Sequence, residues 1–285
     1  MEGENVIDEF RLKFEPNYIP HGDEEEIFRA AFKSRIPLIV KGPTGCGKTR
    51  FIEHMAHHLN LPLVTVSCHE DLTAADLIGR YLFKDSQTIW HDGPLTLAVR
   101  HGGICYLDEI VEARKDTTVI IHSLTDDRRL LYIDKTGEVI RAHPDFMMVL
   151  SYNPGYQSIV KDLKQSTKQR FASLVFGHPG MDVEKDIIHS ETELSEEESA
   201  RLAEMGAKIR ELKGFGLDEG ASSRLLVYVG RLMKQGLSPV EACRCAVTHT
   251  LADENEVMEA VQNIVNLYFG DVQASVEQEI GRAHV

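Results

Sequence analysis

The chain has 285 residues, and its 31 Lys and Arg stand against 45 Asp and Glu, a net charge of −14. With 42 % hydrophobic and 27 % charged residues it falls outside the collagen-like and wholly disordered classes, and its length suits one large globular domain or two modest ones. The acidic balance disfavours binding to polyphosphate backbones, so nucleic acid is not an expected partner, and apolar runs of five residues such as Phe146 to Leu150 leave no membrane span, which needs about 18.

In chain order, the N-terminus MEGENVIDEF is acidic where a secretory signal is basic and then apolar, which predicts a cytoplasmic chain. From Pro37 to about Gly180 short apolar runs alternate with helical patterns, the signature of an α/β fold with a parallel sheet flanked by helices. Strands are expected near Leu38 to Lys41, Pro62 to Ser67, Gly103 to Leu107, Phe146 to Ser151 and Leu174 to Phe176. Tyr81 to Trp90 and Leu130 to Ile140 each read apolar, turn, apolar, which predicts two β-hairpins inserted into the α/β domain. Beyond His178-Pro179-Gly180 no strand pattern returns. Leu202, Met205, Ile209 and Leu212, then Leu225, Val229 and Leu232, recur at helical spacing, and Ser238-Pro239-Val240-Glu241 marks a further helix start. Cys46, Cys68, Cys105, Cys243 and Cys245 are odd in number and lack Cys-x-x-Cys spacing, so reduced thiols are expected.

Gly42-Pro43-Thr44-Gly45-Cys46-Gly47-Lys48-Thr49 fits G-x-x-x-x-G-K-[ST] between a strand and a helix. Glycines let backbone N–H groups wrap phosphates, Lys48 brings charge to the β and γ phosphates, and the Thr49 hydroxyl ligates Mg²⁺. The following helix places Phe51, Met55, Ala56 and Leu59 on one arc and His54, His57 and His58 on another. With no acidic co-ligand evident, those histidines read as a solvated face. The apolar strand ending in Asp108-Glu109 points two carboxylates at the crevice where open α/β sheets bind ligands. Asp108 is a candidate Mg²⁺ holder and Glu109 the base for an attacking water. Asn153 ends a third strand at the same rim, suited to the γ-phosphate or the water. Arg170, before the last strand, has the character of an arginine finger reaching a neighbouring subunit, and Arg224, in a first helical turn where a cation opposes the dipole, is suited to an anion.

The order of phosphate loop, Leu-Asp-Glu strand, strand-end Asn, Arg-Phe before the last strand and a helical-domain Arg resembles the AAA+ ATPases, and the two hairpins resemble those of the MoxR branch. Tyr18-Ile19-Pro20, Lys41 to Thr49, Asp92 to Leu95, Tyr106 to Arg114, Leu124 to Arg129 and Ser151 to Ser158 are similar to the CbbQ/NorQ family, over roughly Tyr18 to Leu267. The resemblance implies an ATP- and Mg²⁺-dependent homohexameric ring that works with a partner carrying a von Willebrand factor A domain. In CbbQ-type members the client is Rubisco, from which inhibitory sugar phosphates are released, and in NorQ-type members it is nitric oxide reductase. It also implies that residues near Ile19 and His21 line the adenine pocket, and it sets out an N-terminal segment (1–22), an AAA+ nucleotide-binding domain (23–180) and a helical lid domain (181–285). A P-loop kinase is the alternative enzyme class, and phosphate release without an added acceptor separates the two.

Overall fold

The computed structural model describes residues 6–154 and 163–283. Two compact units emerge from its contacts. One runs to Gly42 and resumes from Lys48 to Phe176, and the other joins Pro43–Gly47 to the chain from Gly177 onward.

The strands of the first unit are β1 (Leu38–Lys41), β2 (Leu63–Ser67), β3 (Gly79–Lys84), β4 (Gln87–Asp92), β5 (Gly103–Asp108), β6 (Leu130–Ile133), β7 (Glu138–Arg141), β8 (Phe146–Tyr152) and β9 (Ala172–Val175). Between them lie α1 (Glu24–Ser34), α2 (Lys48–His58), α3 (Ala74–Ile78), α4 (Pro94–His101), α5 (Lys115–Ile120) and α6 (Gln165–Lys168). A five-stranded parallel sheet runs in the order β2-β5-β8-β1-β9. Its middle is dry: β8 is buried along its whole length and β5 up to Leu107, as strands covered on both faces must be. Because every strand points the same way, Gly42, Asp108 and Asn153 all emerge at one carboxyl-terminal rim.

Both expected hairpins form. β3 and β4 pair antiparallel around Asp85 and Ser86, whose φ values of 51° and 62° are those of a type I′ turn, and β6 pairs with β7. The first hairpin turns apolar side chains outward, with Phe83 79 % exposed. The last strand begins two residues and ends one residue earlier than expected. Pairing of Leu38 with Ala172 through Lys41 with Val175 fixes its register, while the apolar run that suggested Leu174 to Phe176 marks the buried side chains Leu174 and Phe176.

The histidine face of α2 also departs from the sequence reading. His54 is buried, with Nε2 2.7 Å from Glu25 Oε1, and His58 Nε2 is 2.9 Å from Glu15 Oε1. Carboxylates distant in sequence therefore do meet these rings, which helical periodicity alone could not show.

The second unit is helical: α7 (Met181–Thr192), α8 (Glu196–Arg210), α9 (Ser223–Lys234), α10 (Pro239–Cys243), α11 (His249–Leu251) and α12 (Asn255–Ala283). Leu202, Met205, Ile209 and Val229 are fully buried in its core, joined by Val261 and Val265 of α12. Ser195 and Glu198 form a reciprocal capping box at α8, each satisfying a backbone N–H of the other. Buried Glu184 receives hydrogen bonds from Arg210 and from Ser223 Oγ. All five cysteines are free thiols. Among the described residues no helix is long and apolar enough to cross a membrane.

Candidate active site

Gly42 closes β1, its N–H bonded to the Tyr152 carbonyl at 3.3 Å. Lys48 opens α2, and its buried Nζ donates to the Gly42 carbonyl at 2.9 Å, folding the ammonium back across the loop. Between them Gly45 and Gly47 take φ values of 69° and 96°, open to glycine at little cost. Within the second unit, a Cβ on Gly45 would meet the Ser222 side chain at 2.6 Å and Arg224 Cβ at 3.4 Å. Glycine is therefore required there twice, by backbone angle and by close approach. Cys46 is buried, Pro43 half-buried and Thr44 exposed.

A second row of polar groups ties the neighbouring strand ends together. Thr49 Oγ1 lies 3.3 Å from the Tyr106 hydroxyl, which donates to Asp108 Oδ1 at 2.7 Å. Ser151 Oγ donates to the same carboxylate oxygen and accepts from the Glu109 N–H at 3.2 Å. The Asn153 N–H in turn reaches Glu109 Oε2 at 3.4 Å. Glu109 holds a left-handed backbone, φ 53° and ψ 50°, which costs a non-glycine residue of order 1–3 kcal/mol.

Burial raises the Glu109 carboxyl above its ordinary pKa, with the Asp108 charge adding to the rise and Lys48 opposing it. The Tyr106 phenol is pushed up by burial and by Asp108, which keeps it a proton donor. The Cys68 thiol beside the two carboxylates is pushed up to about 12, first by burial and then by their charge, so it stays protonated at neutral pH.

The contacts thus unite Thr49, Asp108, Glu109 and Asn153, while Lys48 is tied to Gly42 at the loop's start. Arg170 is bonded elsewhere: Nη1 donates to the His122 carbonyl and to Asp126 Oδ2, each at 3.2 Å, with a third of the side chain exposed. Arg224 is exposed in the first turn of α9, whose cap is Ser222, accepting from the Leu225 N–H. Ile19 and His21 are half-buried. The His21 ring meets Phe176 edge-on at 5.8 Å, and Phe176 meets Phe51 of α2 at 5.2 Å, so this segment borders the helix that Lys48 opens. Of the Ser151 to Ser158 segment, residues from Gly155 on lie outside the described residues.

Tyr106 and Ser151 were missed as site residues. For Tyr106 the signal was present: strand alternation puts a side chain two before Asp108 on the same face. Ser151 follows from register, since Leu107 pairs with Leu150 and Asp108 and Ser151 come next on adjacent strands.

Residues 37–171 match the AAA domain (dynein-related subfamily), and residues 184–268 match the CbbQ/NirQ/NorQ C-terminal family. Protein CbbQ of Hydrogenophilus thermoluteolus is 52 % identical over 265 residues, covering 93 % of this chain and 99 % of its own. The chain belongs to the CbbQ/NirQ/NorQ family. Protein NorQ of Paracoccus denitrificans is also 52 % identical, over 90 % of this chain and 94 % of its own, and the denitrification regulatory protein NirQ of Stutzerimonas stutzeri is 49 % identical over 90 % and 93 %. A RuvB point mutant of Thermotoga maritima superposes with a TM-score of 0.51 at 16 % identity, covering 87 % of this chain and 71 % of that one, a likeness of fold alone. As a family member with an AAA domain, the chain is an ATP-binding ATPase of the AAA+ class.

Proposed function

We propose that this family member is the motor subunit of a homohexameric, cytoplasmic AAA+ ring that acts with a von Willebrand factor A domain adaptor to remodel Rubisco and free it of inhibitory sugar phosphates. In this reading residues 23–180 bind nucleotide and 181–285 form the lid. The observation that carries the ATPase chemistry is the connected set Thr49, Tyr106, Asp108, Ser151, Glu109 and Asn153 at the sheet's rim, with buried Lys48 bonded to the Gly42 carbonyl at the start of the phosphate loop.

The residues fit a magnesium nucleotide. A loop with glycine at Gly45 and Gly47 in positive-φ backbone, a buried lysine folded back onto the Gly42 carbonyl, and a hydroxyl and carboxylate joined through one phenol form a set of anion donors beside hard oxygen ligands. When bound, magnesium supplies charge neutralisation across the phosphates. The backbone N–H groups of Gly45, Cys46 and Gly47 would be the loop's donors to the phosphates, and Lys48 would exchange the Gly42 carbonyl for phosphate oxygens. Thr49 and Asp108 would hold the metal, with Tyr106 and Ser151 fixing the Asp108 rotamer. Glu109 accepts the proton of the attacking water at a carboxylate oxygen, its basicity raised by burial. Asn153 orients that water or the γ-phosphate, Ile19 and His21 border the adenine, and Arg224 contacts the phosphates. Arg170 completes the site of an adjoining protomer.

NorQ of Paracoccus is as similar as CbbQ, so assistance to nitric oxide reductase is the second reading. Incubating the chain, an adaptor and ATP with inhibitor-bound Rubisco decides between them. The first reading expects recovery of carboxylation that a Lys48→Ala chain fails to give. Absence of recovery with an ATPase-active ring overturns the Rubisco assignment.

A further inference from the structure

Among the described residues, one group of His, Cys, Asp and Glu side chains converges closely enough to hold a metal ion: Glu15, His54 and His58, with one ligating atom from each inside 4.8 Å of the others. We propose that these three side chains form a binding site for a divalent transition-metal ion of the zinc type, which fastens the segment before α1 to α2.

His54 and His58 are four residues apart, on one face of α2, with ring centroids 4.2 Å apart. His58 Nε2 is already 2.9 Å from Glu15 Oε1. In a tetrahedral zinc site with metal–nitrogen distances of about 2.0–2.1 Å, neighbouring donors sit about 3.4 Å apart, a spacing that the three donor atoms, within 4.8 Å of one another, approach without a metal. Two imidazoles and a carboxylate suit zinc or cobalt better than magnesium or calcium, which favour all-oxygen sets.

The second observation is the state of His54. Its side chain is 7 % exposed, Nε2 is taken by Glu25 at 2.7 Å, and Nδ1 is buried with no hydrogen-bond partner. A neutral ring donating Nε2–H to Glu25 keeps an unshared pair on Nδ1, and a buried acceptor left unmatched costs about 1–3 kcal/mol. A cation removes that cost. An imidazole held by a carboxylate through its other nitrogen is also the usual outer arrangement of a metal-bound histidine, and Glu25 fills that place. The Tyr18 ring, 5.1 Å from His54, walls one side. His58 and Glu15 are 36 % and 58 % exposed, which leaves room for water as a further ligand.

The test uses the full chain, stripped of metal and free of nucleotide, titrated with Co²⁺ and then Zn²⁺ while visible absorption and thermal unfolding are followed. One saturable equivalent, a tetrahedral cobalt spectrum displaced by zinc, and a raised Tm are expected. Glu25→Gln should weaken binding about 10–100-fold, and the exposed-ligand variants Glu15→Gln and His58→Ala by more than that, while His57→Ala leaves it unchanged. The proposal is overturned if no equivalent saturates. It is overturned equally if Glu15→Gln and His58→Ala, both folded, bind as tightly as wild type, which would leave two histidine–carboxylate hydrogen bonds and nothing more.

Discussion

Lys48, Ser151 and Asn153 are buried and Asp108 and Glu109 half-buried; the last four share one web of hydrogen bonds inside a single unit, and Lys48 is bonded to the Gly42 carbonyl beside it. Arg170 and Arg224 stand apart from that web: Arg224 is exposed, and Arg170, half-buried, rests on Asp126 and a backbone carbonyl. Under the proposed function, the groups assigned to grip and activate are thus preorganised by their own chain, whereas the two arginines assigned to developing charge lie outside that web. The Asp126 carboxyl is held down at about 2, chiefly by Arg128 and further by Arg170, so that carboxylate stays charged and keeps Arg170 in place at neutral pH.

The sharpest way to break this contrast is Arg170→Ala, expected to leave ATP affinity intact and lower kcat by about 10³–10⁵. A smaller loss in steady-state phosphate release would move the finger's role elsewhere. Glu109→Gln follows, with nucleotide still bound and kcat down by about 10²–10⁴. Because burial raises Glu109, the acid limb of the wild-type rate profile should lie above the usual carboxylate range, with activity gained as pH rises through it, and Glu109→Gln should abolish that limb. Tyr106→Phe removes the hydroxyl that joins Thr49 to Asp108, and the Mg²⁺ concentration for half-maximal hydrolysis should rise about 10–100-fold with kcat at saturating Mg²⁺ little changed.

The smallest effect concerns stability. Burial, aided by Arg210, depresses the His178 pKa from 6.5 to about 4. The unfolded chain therefore binds the proton first, and stability attributable to His178 is full above pH 6.5 and falls as pH drops toward 4. Urea midpoints for His178→Gln should decline less over that window than those of wild type.

Much of the rim was legible in the sequence because its signals are local. A phosphate loop between strand and helix, apolar runs for β1, β5 and β8, and a type I′ turn between apolar segments are all read within a dozen residues. What escaped depends on pairing between distant segments. Ser151 meets Asp108 only through the β5–β8 register, β9 is set by its pairing with β1, and His54 acquires Glu25 only once α1 packs near α2. The resting place of Arg170 on Asp126 likewise joins residues 44 apart in sequence.

The central claim is that each protomer's hydrolytic site is finished by its neighbour's Arg170. Lys48→Ala and Arg170→Ala chains, each expected to be inactive alone, are to be co-assembled across a range of ratios and assayed for phosphate release. The account predicts recovered hydrolysis that peaks in mixed rings, where an intact loop faces an intact arginine. Mixed rings that form yet stay inactive at every ratio would contradict it.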